Sequence, residues 1–256
     1  MYMKPFFCRV GNKTPLVSKI LKIIPPHKTY VEPFVGGGAI YFAKEPSVVE
    51  VINDLDKKLI QGYRLLKKIN DNDLRRTYGM IEKVKLIKNE DDKVEVLRRI
   101  VNMKSSDDGL KLYQILLTMC NTFSATGTGN IYKPSTHFNK LNKISKYKDR
   151  LKKTKIFSMD YKNIINKFDA NDTFFFLDPP YEKSSGLYKN SIIDYNEMNE
   201  ILSNIKGKFL LTINSSAEIK NIFKNFNIKE IKVKGGSRNE CDIGKGIRSE
   251  LIITNY

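Results

Sequence analysis

Asp178, Pro179, Pro180 and Tyr181 close an apolar run, TFFFL (173–177), and the chain turns polar directly after them. In an open α/β sheet, ligands sit beyond the carboxyl ends of the strands, so such a run delivers Asp178 to a site. Proline has no amide hydrogen but keeps its carbonyl, and its ring fixes φ. The four residues therefore form a stiff cluster of acceptors, the Asp178 carboxylate and the Pro179 carbonyl, ending in an aromatic face. Two acceptors beside a ring suit the exocyclic amine of a nucleobase, which carries two N–H donors on a flat π-system. That nitrogen is a poor nucleophile because its lone pair is delocalised into the ring. Accepting both hydrogens favours a pyramidal nitrogen whose lone pair can attack an electrophile. Tyr181 can stack on the base, a contact worth about 1–3 kcal/mol in nucleic-acid complexes. A base inside a duplex cannot reach such a pocket and would have to be flipped out. The plain alternative is a tight turn after a buried strand.

A second group of residues suits a cofactor. In TYVEPFVGGGAIYF (29–42) a short strand runs into three glycines and the start of a helix. Glycines there let a ligand approach the backbone and meet the helix N–H groups. Counting from Gly36, the third position of the dinucleotide fingerprint holds Tyr41, which disfavours a pyrophosphate cofactor. VVEVINDLD (48–56) follows and places Asp54 where an acid accepts hydrogen bonds from ribose hydroxyls, while Asp56 reads as a helix cap.

The elements that position these residues come in a recognisable order. A strand, a glycine turn, a helix and a second strand ending in acids make half of a doubly wound nucleotide-binding sheet. Residues 62–154 change character: charged helical patterns such as DDKVEVLRRIVNM (91–103) dominate, ending in a turn-rich stretch, 121–138, that reads as a hairpin or loop. Strand signals return at 155–159, 173–177, 208–213, 228–233 and 250–256, separated by helical patterns at 194–205 and 216–226. The expectation is one α/β sheet, built from 1–61 and 155–256, with a mostly helical insertion.

Composition bounds the partners. The 256 residues are 41% hydrophobic and 29% charged, with a formal net charge of +17. Such an excess attracts polyanions, nucleic acid first among them, although a lysine-rich surface is the bland reading. Two histidines, His27 and His137, sit in no catalytic pattern. Cys8, Cys120 and Cys241 are too scattered for a zinc site or a disulfide framework, so no metal is expected. The first residues carry no secretory h-region, and an intracellular setting is expected.

DPPY after an apolar strand, with PFVGGG and NDLD, resembles the amino-methyltransferases that use S-adenosylmethionine. More narrowly, FFCRVGNKTPLVSKILKIIP, YVEPFVGGG, NDLDKKLI, a long insertion, DPPY and the ending GGSRNECDIGKGIRSELIITNY resemble the Dam-like family of DNA adenine-N6 methyltransferases. The resemblance implies a Rossmann-like class I methyltransferase sheet with an inserted DNA-recognition domain, and methyl transfer to a flipped adenine in double-stranded DNA. It implies a cofactor site of Arg9, Lys13, Glu32, Phe34, Gly36, Gly37, Gly38, Asp54, Asp160 and Asp178. In that site Lys13 would pair with the methionyl carboxylate, Asp54 would hold the ribose, and Asp160 would approach the cofactor adenine. Asp178, Pro179, Pro180 and Tyr181 would hold the target base. Asn130 and Lys133 in the insertion, Lys183 and Lys189 after DPPY, and Arg238, Lys245 and Arg248 near the end would contact DNA. The insertion lacks the arginine that family members reading GATC carry, so that target does not transfer with the resemblance. A cytosine-N4 methyltransferase, a non-catalytic DNA-binding relative and a companion restriction endonuclease are the further readings this sequence admits.

Overall fold

The computed structural model describes residues 2–9, 11, 13–122, 130–180, 193–234 and 247–256. Tyr181, Lys183, Lys189, Arg238 and Lys245 lie outside the described residues, as does much of the expected hairpin near 121–138. A helix α1 (Val17–Leu21) precedes β1 (Thr29–Glu32), α2 (Ala39–Ala43), β2 (Val49–Asn53) and α3 (Lys57–Lys68). Five helices follow: α4 (Asp71–Lys85), α5 (Glu90–Asn102), α6 (Asp108–Asn121), α7 (Phe138–Leu141) and α8 (Ile144–Leu151). Then come β3 (Lys155–Phe157), α9 (Tyr161–Phe168), β4 (Thr173–Leu177), α10 (Tyr195–Asn204), β5 (Lys208–Asn214), α11 (Ala217–Ile222), β6 (Asn227–Lys234) and β7 (Ile247–Thr254).

The strands form one sheet in the order β3-β2-β1-β4-β5-β7-β6. β3 to β5 are mutually parallel, and β7 runs antiparallel between β5 and β6. From β1 the chain winds outward through β2 to β3, then crosses back to start β4 on the other side of β1. The carboxyl ends of β1 and β4 therefore flank the point where strand order reverses, where an open α/β sheet has its ligand crevice.

All five residues of β4 are buried, as a strand covered on both faces requires. Its side chains alternate between two cores. Phe174 and Phe176 join Tyr30, Ile52 and Leu210 on one face. Phe175 and Leu177 join Val31, Val51, Phe209 and Leu211 on the other. The first core also contains Leu74, Leu97, Leu116 and Leu151, so the helices between β2 and β3 pack continuously with one face of the sheet. α3 runs across the expected boundary at residues 61 and 62.

A buried charge network fastens α8 to the sheet. Glu50 of β2 accepts from Lys44 Nζ at 2.7 Å and from both terminal nitrogens of Arg150. Arg150 Nη2 also donates to the Tyr41 carbonyl at 2.6 Å, and the Tyr41 hydroxyl returns a hydrogen bond to the Arg150 carbonyl at 2.9 Å. Burial alone would raise the Glu50 carboxyl, but the Arg150 and Lys44 contacts outweigh it and hold the group below its ordinary range.

Candidate active site

Three acids stand at the carboxyl ends of neighbouring parallel strands. Glu32 is the last residue of β1, Asp54 follows β2 and Asp178 follows β4. Their positions follow from the register, which sets Thr29 of β1 beside both Val49 and Thr173. Burial raises all three carboxyls. Glu32 is pushed up to about 8, with Asp178 adding to the effect against the Tyr30 hydroxyl, which donates to Glu32 Oε2 at 2.7 Å.

Asp178 has a specific environment. Lys13 Nζ lies 2.7 Å from Asp178 Oδ1, with the lysine side chain 4% exposed and the acid 20%. The Thr212 hydroxyl, 3.1 Å from the same oxygen and 3.3 Å from the Leu177 carbonyl, reaches it from the neighbouring strand. Burial is the larger effect on this acid, opposed first by Lys13 and then by Thr212. The Pro180 carbonyl accepts from the Tyr195 hydroxyl at 2.9 Å, which ties the turn to the start of α10. Pro179 is buried, and its carbonyl accepts no hydrogen bond from the described residues.

The glycine turn is built against Asp54. Gly36 has φ +46 and Gly38 φ +72, conformations that L side chains resist, and Gly38 is the residue from which α2 starts. The Gly36 N–H donates to Asp54 Oδ2 at 2.9 Å, and the Asp56 N–H to Asp54 Oδ1 at 3.0 Å. The Tyr63 hydroxyl donates to the Gly36 carbonyl at 2.9 Å. A Cβ built on Gly36 would meet no atom within 4 Å, so the turn borders open space rather than packed core.

Other expected cofactor residues are spread around this crevice. Phe34 packs against Tyr161, ring centroids 5.3 Å apart and planes tilted by 34°. Asp160 caps α9 by accepting from the Lys162 N–H. Asp56 caps α3, accepting from the Leu59 N–H, and pairs with Arg9 at 2.9 Å. Arg9 also reaches Met119 Sδ at 3.4 Å, so its guanidinium joins the loop after β2 to α6. Lys13 is engaged with Asp178, a partner different from the cofactor carboxylate that the resemblance implies.

In the insertion, Asn130 and Lys133 are exposed on a strap held from beneath. Arg98 Nε donates to the Ile131 carbonyl at 3.0 Å, and the Tyr132 N–H to the Asn121 carbonyl at 3.0 Å. The buried Asn121 amide donates to the Ser135 carbonyl at 2.7 Å, and its oxygen lies 2.6 Å from His137 Nε2. Arg248 belongs to β7, and its backbone pairs with Val233 of β6.

Thr212, Tyr195 and Tyr63 support the site without a motif to announce them, and Asn53, the first residue of NDLD, supports it in a role the motif did not suggest. Thr212 leaves one trace, a lone hydroxyl in the apolar run KFLLTI. Asn53 donates to the Pro33 and Met159 carbonyls at 3.0 and 2.8 Å, holding together the loops after β1 and β3.

The sequence profile of the D12 class N6 adenine-specific DNA methyltransferases matches residues 10–235. The chain belongs to this family. It is similar to three type II methyltransferases. The first is M.MjaIII of Methanocaldococcus jannaschii, 25% identical over 295 aligned positions that cover 100% of each chain. The second is M1.LlaDCHI of Lactococcus lactis subsp. cremoris, 26% identical over 285 positions that cover 99% of this chain and 96% of that one. The third is M.CviBI of Paramecium bursaria Chlorella virus NC1A, 24% identical over 277 positions that cover 99% and 100%. The methyltransferase acts on adenine N6 in DNA, and the cytosine-N4 and non-catalytic readings give way to that assignment. A net charge of +17 suits its polyanionic substrate. No described helix is long and apolar enough to cross a membrane.

Proposed function

We propose that this chain transfers the methyl group of S-adenosylmethionine to the N6 amine of an adenine flipped out of duplex DNA, with Asp178 and the Pro179 carbonyl accepting the two amine hydrogens. The observation that carries the reading is the position of Asp178. It is a half-buried acid at the strand-order reversal, held by Lys13 and Thr212, beside a proline whose carbonyl accepts nothing from the described residues.

The residues around the crevice suit that cofactor. S-adenosylmethionine is cationic at sulfur and at its amine, and three carboxyls raised by desolvation, Glu32, Asp54 and Asp178, gain from a cation near them. The open side of Gly36 leaves room beside the glycine turn for the methionyl part, with Phe34 as a wall. Asp54 keeps its orientation through the Gly36 and Asp56 amides, so its carboxylate is pre-set for ribose hydroxyls. Bound there, the cofactor supplies a methyl group activated by the sulfonium.

The protein's part is alignment and charge. Asp178, fixed by two partners, accepts an N6 hydrogen and supports the positive charge that grows on the nitrogen as it attacks. Direct displacement needs no covalent protein intermediate, and holding amine and methyl in line supplies much of the rate. Tyr181 would stack on the flipped base, while Asn130, Lys133, Lys183, Lys189, Arg238, Lys245 and Arg248 would contact the duplex. Affinity resting on lysine and arginine should fall steeply with salt. The helices of 62–154 would carry target recognition, and the type II names of the relatives support a role beside a restriction endonuclease. Methylating a plasmid with labelled cofactor, then mapping which base in which sequence gains the label, tests donor, target and recognition together; a plasmid without label would end the proposal.

A further inference from the structure

Next to Arg9 and Met119, two cysteines and a lysine outside the methyl-transfer residues converge at the N-terminal segment. The Cys8 N–H donates to Cys120 Sγ at 3.3 Å. Lys140 Nζ lies 3.3 Å from Cys8 Sγ and 3.7 Å from Cys120 Sγ, and donates to the Phe6 carbonyl at 2.6 Å. Three separate parts of the chain therefore meet here: the N-terminal segment, the last turn of α6, and α7. Cys120 is buried and Cys8 half-buried, so one sulfur is open to a small reagent while the other waits behind it.

We propose that Cys8 and Cys120 form a peroxide-reactive dithiol, with Cys8 as the attacking thiolate, Cys120 as the resolving thiol and Lys140 as the cation that activates the pair. Hydrogen bonding from Cys120 and the nearby Lys140 ammonium hold the Cys8 thiol down at about 6 against its burial. Cys120 moves the other way, raised by its contact with Cys8 and by burial. The closer approach of Lys140 to Cys8 and the greater exposure of Cys8 assign the thiolate to that sulfur. Lys133 adds positive charge at longer range. A thiolate beside a lysine, with a second thiol in contact, is the arrangement that favours sulfenic acid formation and its resolution.

The chemistry balances with one hydrogen peroxide. A Cys8 sulfur lone pair attacks one peroxide oxygen, the O–O bond breaks, and hydroxide leaves and takes a proton from solvent to become water. Cys8 is oxidised by two electrons to the sulfenic acid, and the peroxide is reduced. Cys120 then attacks the Cys8 sulfur; the S–S bond forms, the S–O bond breaks, and water departs with the Cys120 proton. The bridge ties the segment that carries Arg9 and Lys13 to α6.

The test uses the full chain with Cys241→Ser, which leaves this pair as its two cysteines. After hydrogen peroxide treatment and proteolysis without reductant, mass spectrometry should find the Cys8 and Cys120 peptides joined, two hydrogens lighter than the reduced pair and separated by dithiothreitol. Absence of that joined species, or joining only between chains, overturns the proposal. Alkylation of Cys8 by iodoacetamide across pH supplies a second readout. In the chain with all other residues unchanged, its rate should rise with a midpoint near 6 rather than the ordinary 9. A midpoint near 9 overturns the role given to Lys140 and Cys120 even if a Lys140→Met chain fails to fold. Where that variant folds, its midpoint should move upward.

Discussion

Lys13 and Asp178 form an ion pair at 2.7 Å, the ammonium almost fully buried and the carboxylate largely so. Lys13, which the resemblance gives to the cofactor carboxylate, and Asp178, which it gives to both cofactor and base, are thus one electrostatic unit. Without Lys13, Thr212 would be left to oppose burial at Asp178, and the carboxyl would be pushed further up. Catalysis needs the ionised form, so the acid limb of the pH–rate profile should reflect the folded Asp178 and move to higher pH in Lys13→Met. Measuring kcat for DNA methylation from about pH 5 to 9, a range that starts above the ordinary carboxyl values and spans raised ones, checks this. An unchanged limb with normal kcat would separate the two residues again.

Thr212 holds the same carboxylate oxygen at 3.1 Å from the adjacent strand. Thr212→Val keeps the shape and removes the donor. A hydrogen bond to a charged group is worth about 1.5–3 kcal/mol, so kcat should drop by roughly tenfold or more. Lys13 still helps keep Asp178 ionised, and KM for the cofactor should change little. Steady-state kinetics on a duplex substrate measure both.

Glu32 offers a pH signature. Its folded carboxyl is raised to about 8 from the ordinary 4.5. A group raised on folding stabilises most below its unfolded value, and that contribution is lost as pH rises through the folded one. Without cofactor, thermal stability should therefore decline between pH 5 and 9 by more in the natural chain than in Glu32→Gln, which cannot ionise. Cationic cofactor favours the ionised acid, so its affinity in the natural chain should rise over the same interval. Calorimetry of binding at several pH values, with buffers of different ionisation heats, would detect the released proton.

Glu50 tests the frame rather than the chemistry. Glu50→Ala strands Lys44 and Arg150 in a buried site, and breaking such a pair costs about 3–5 kcal/mol. Tm should fall by roughly 10 °C. The carboxyl is held low in the fold, so its stabilising effect is present above the unfolded value and lost as pH falls through the folded one. The difference between natural chain and variant should shrink in acid.

What the sequence makes legible here is local. TFFFL announces a strand buried on both faces, and an acid directly after it must stand at the strand end. GGG after TYVEPFV announces a turn that needs positive φ, as found at Gly36 and Gly38. The pairs that tune the site join residues far apart in the chain, and no spacing rule couples Lys13 to Asp178, or Tyr195 to Pro180. Arg9 shows the same limit: the resemblance gives it a place in the cofactor site, and no spacing rule announces its Asp56 and Met119 partners. α3 runs through the expected boundary at residues 61 and 62, and no local signal announces that its apolar face shares one core with both the sheet and the helices that follow.

The central claim is that the Asp178 carboxylate, by accepting an N6 hydrogen, makes adenine nucleophilic. Single-turnover methyl transfer by Asp178→Asn, with labelled S-adenosylmethionine and a duplex carrying the mapped target, tests it most directly. Asparagine keeps the size but loses the charge and turns one acceptor into a donor. The transfer rate should fall by about 10²–10³-fold or more, as when one preorganised electrostatic partner is removed, while cofactor still binds. Transfer at the natural rate by that variant would contradict the account.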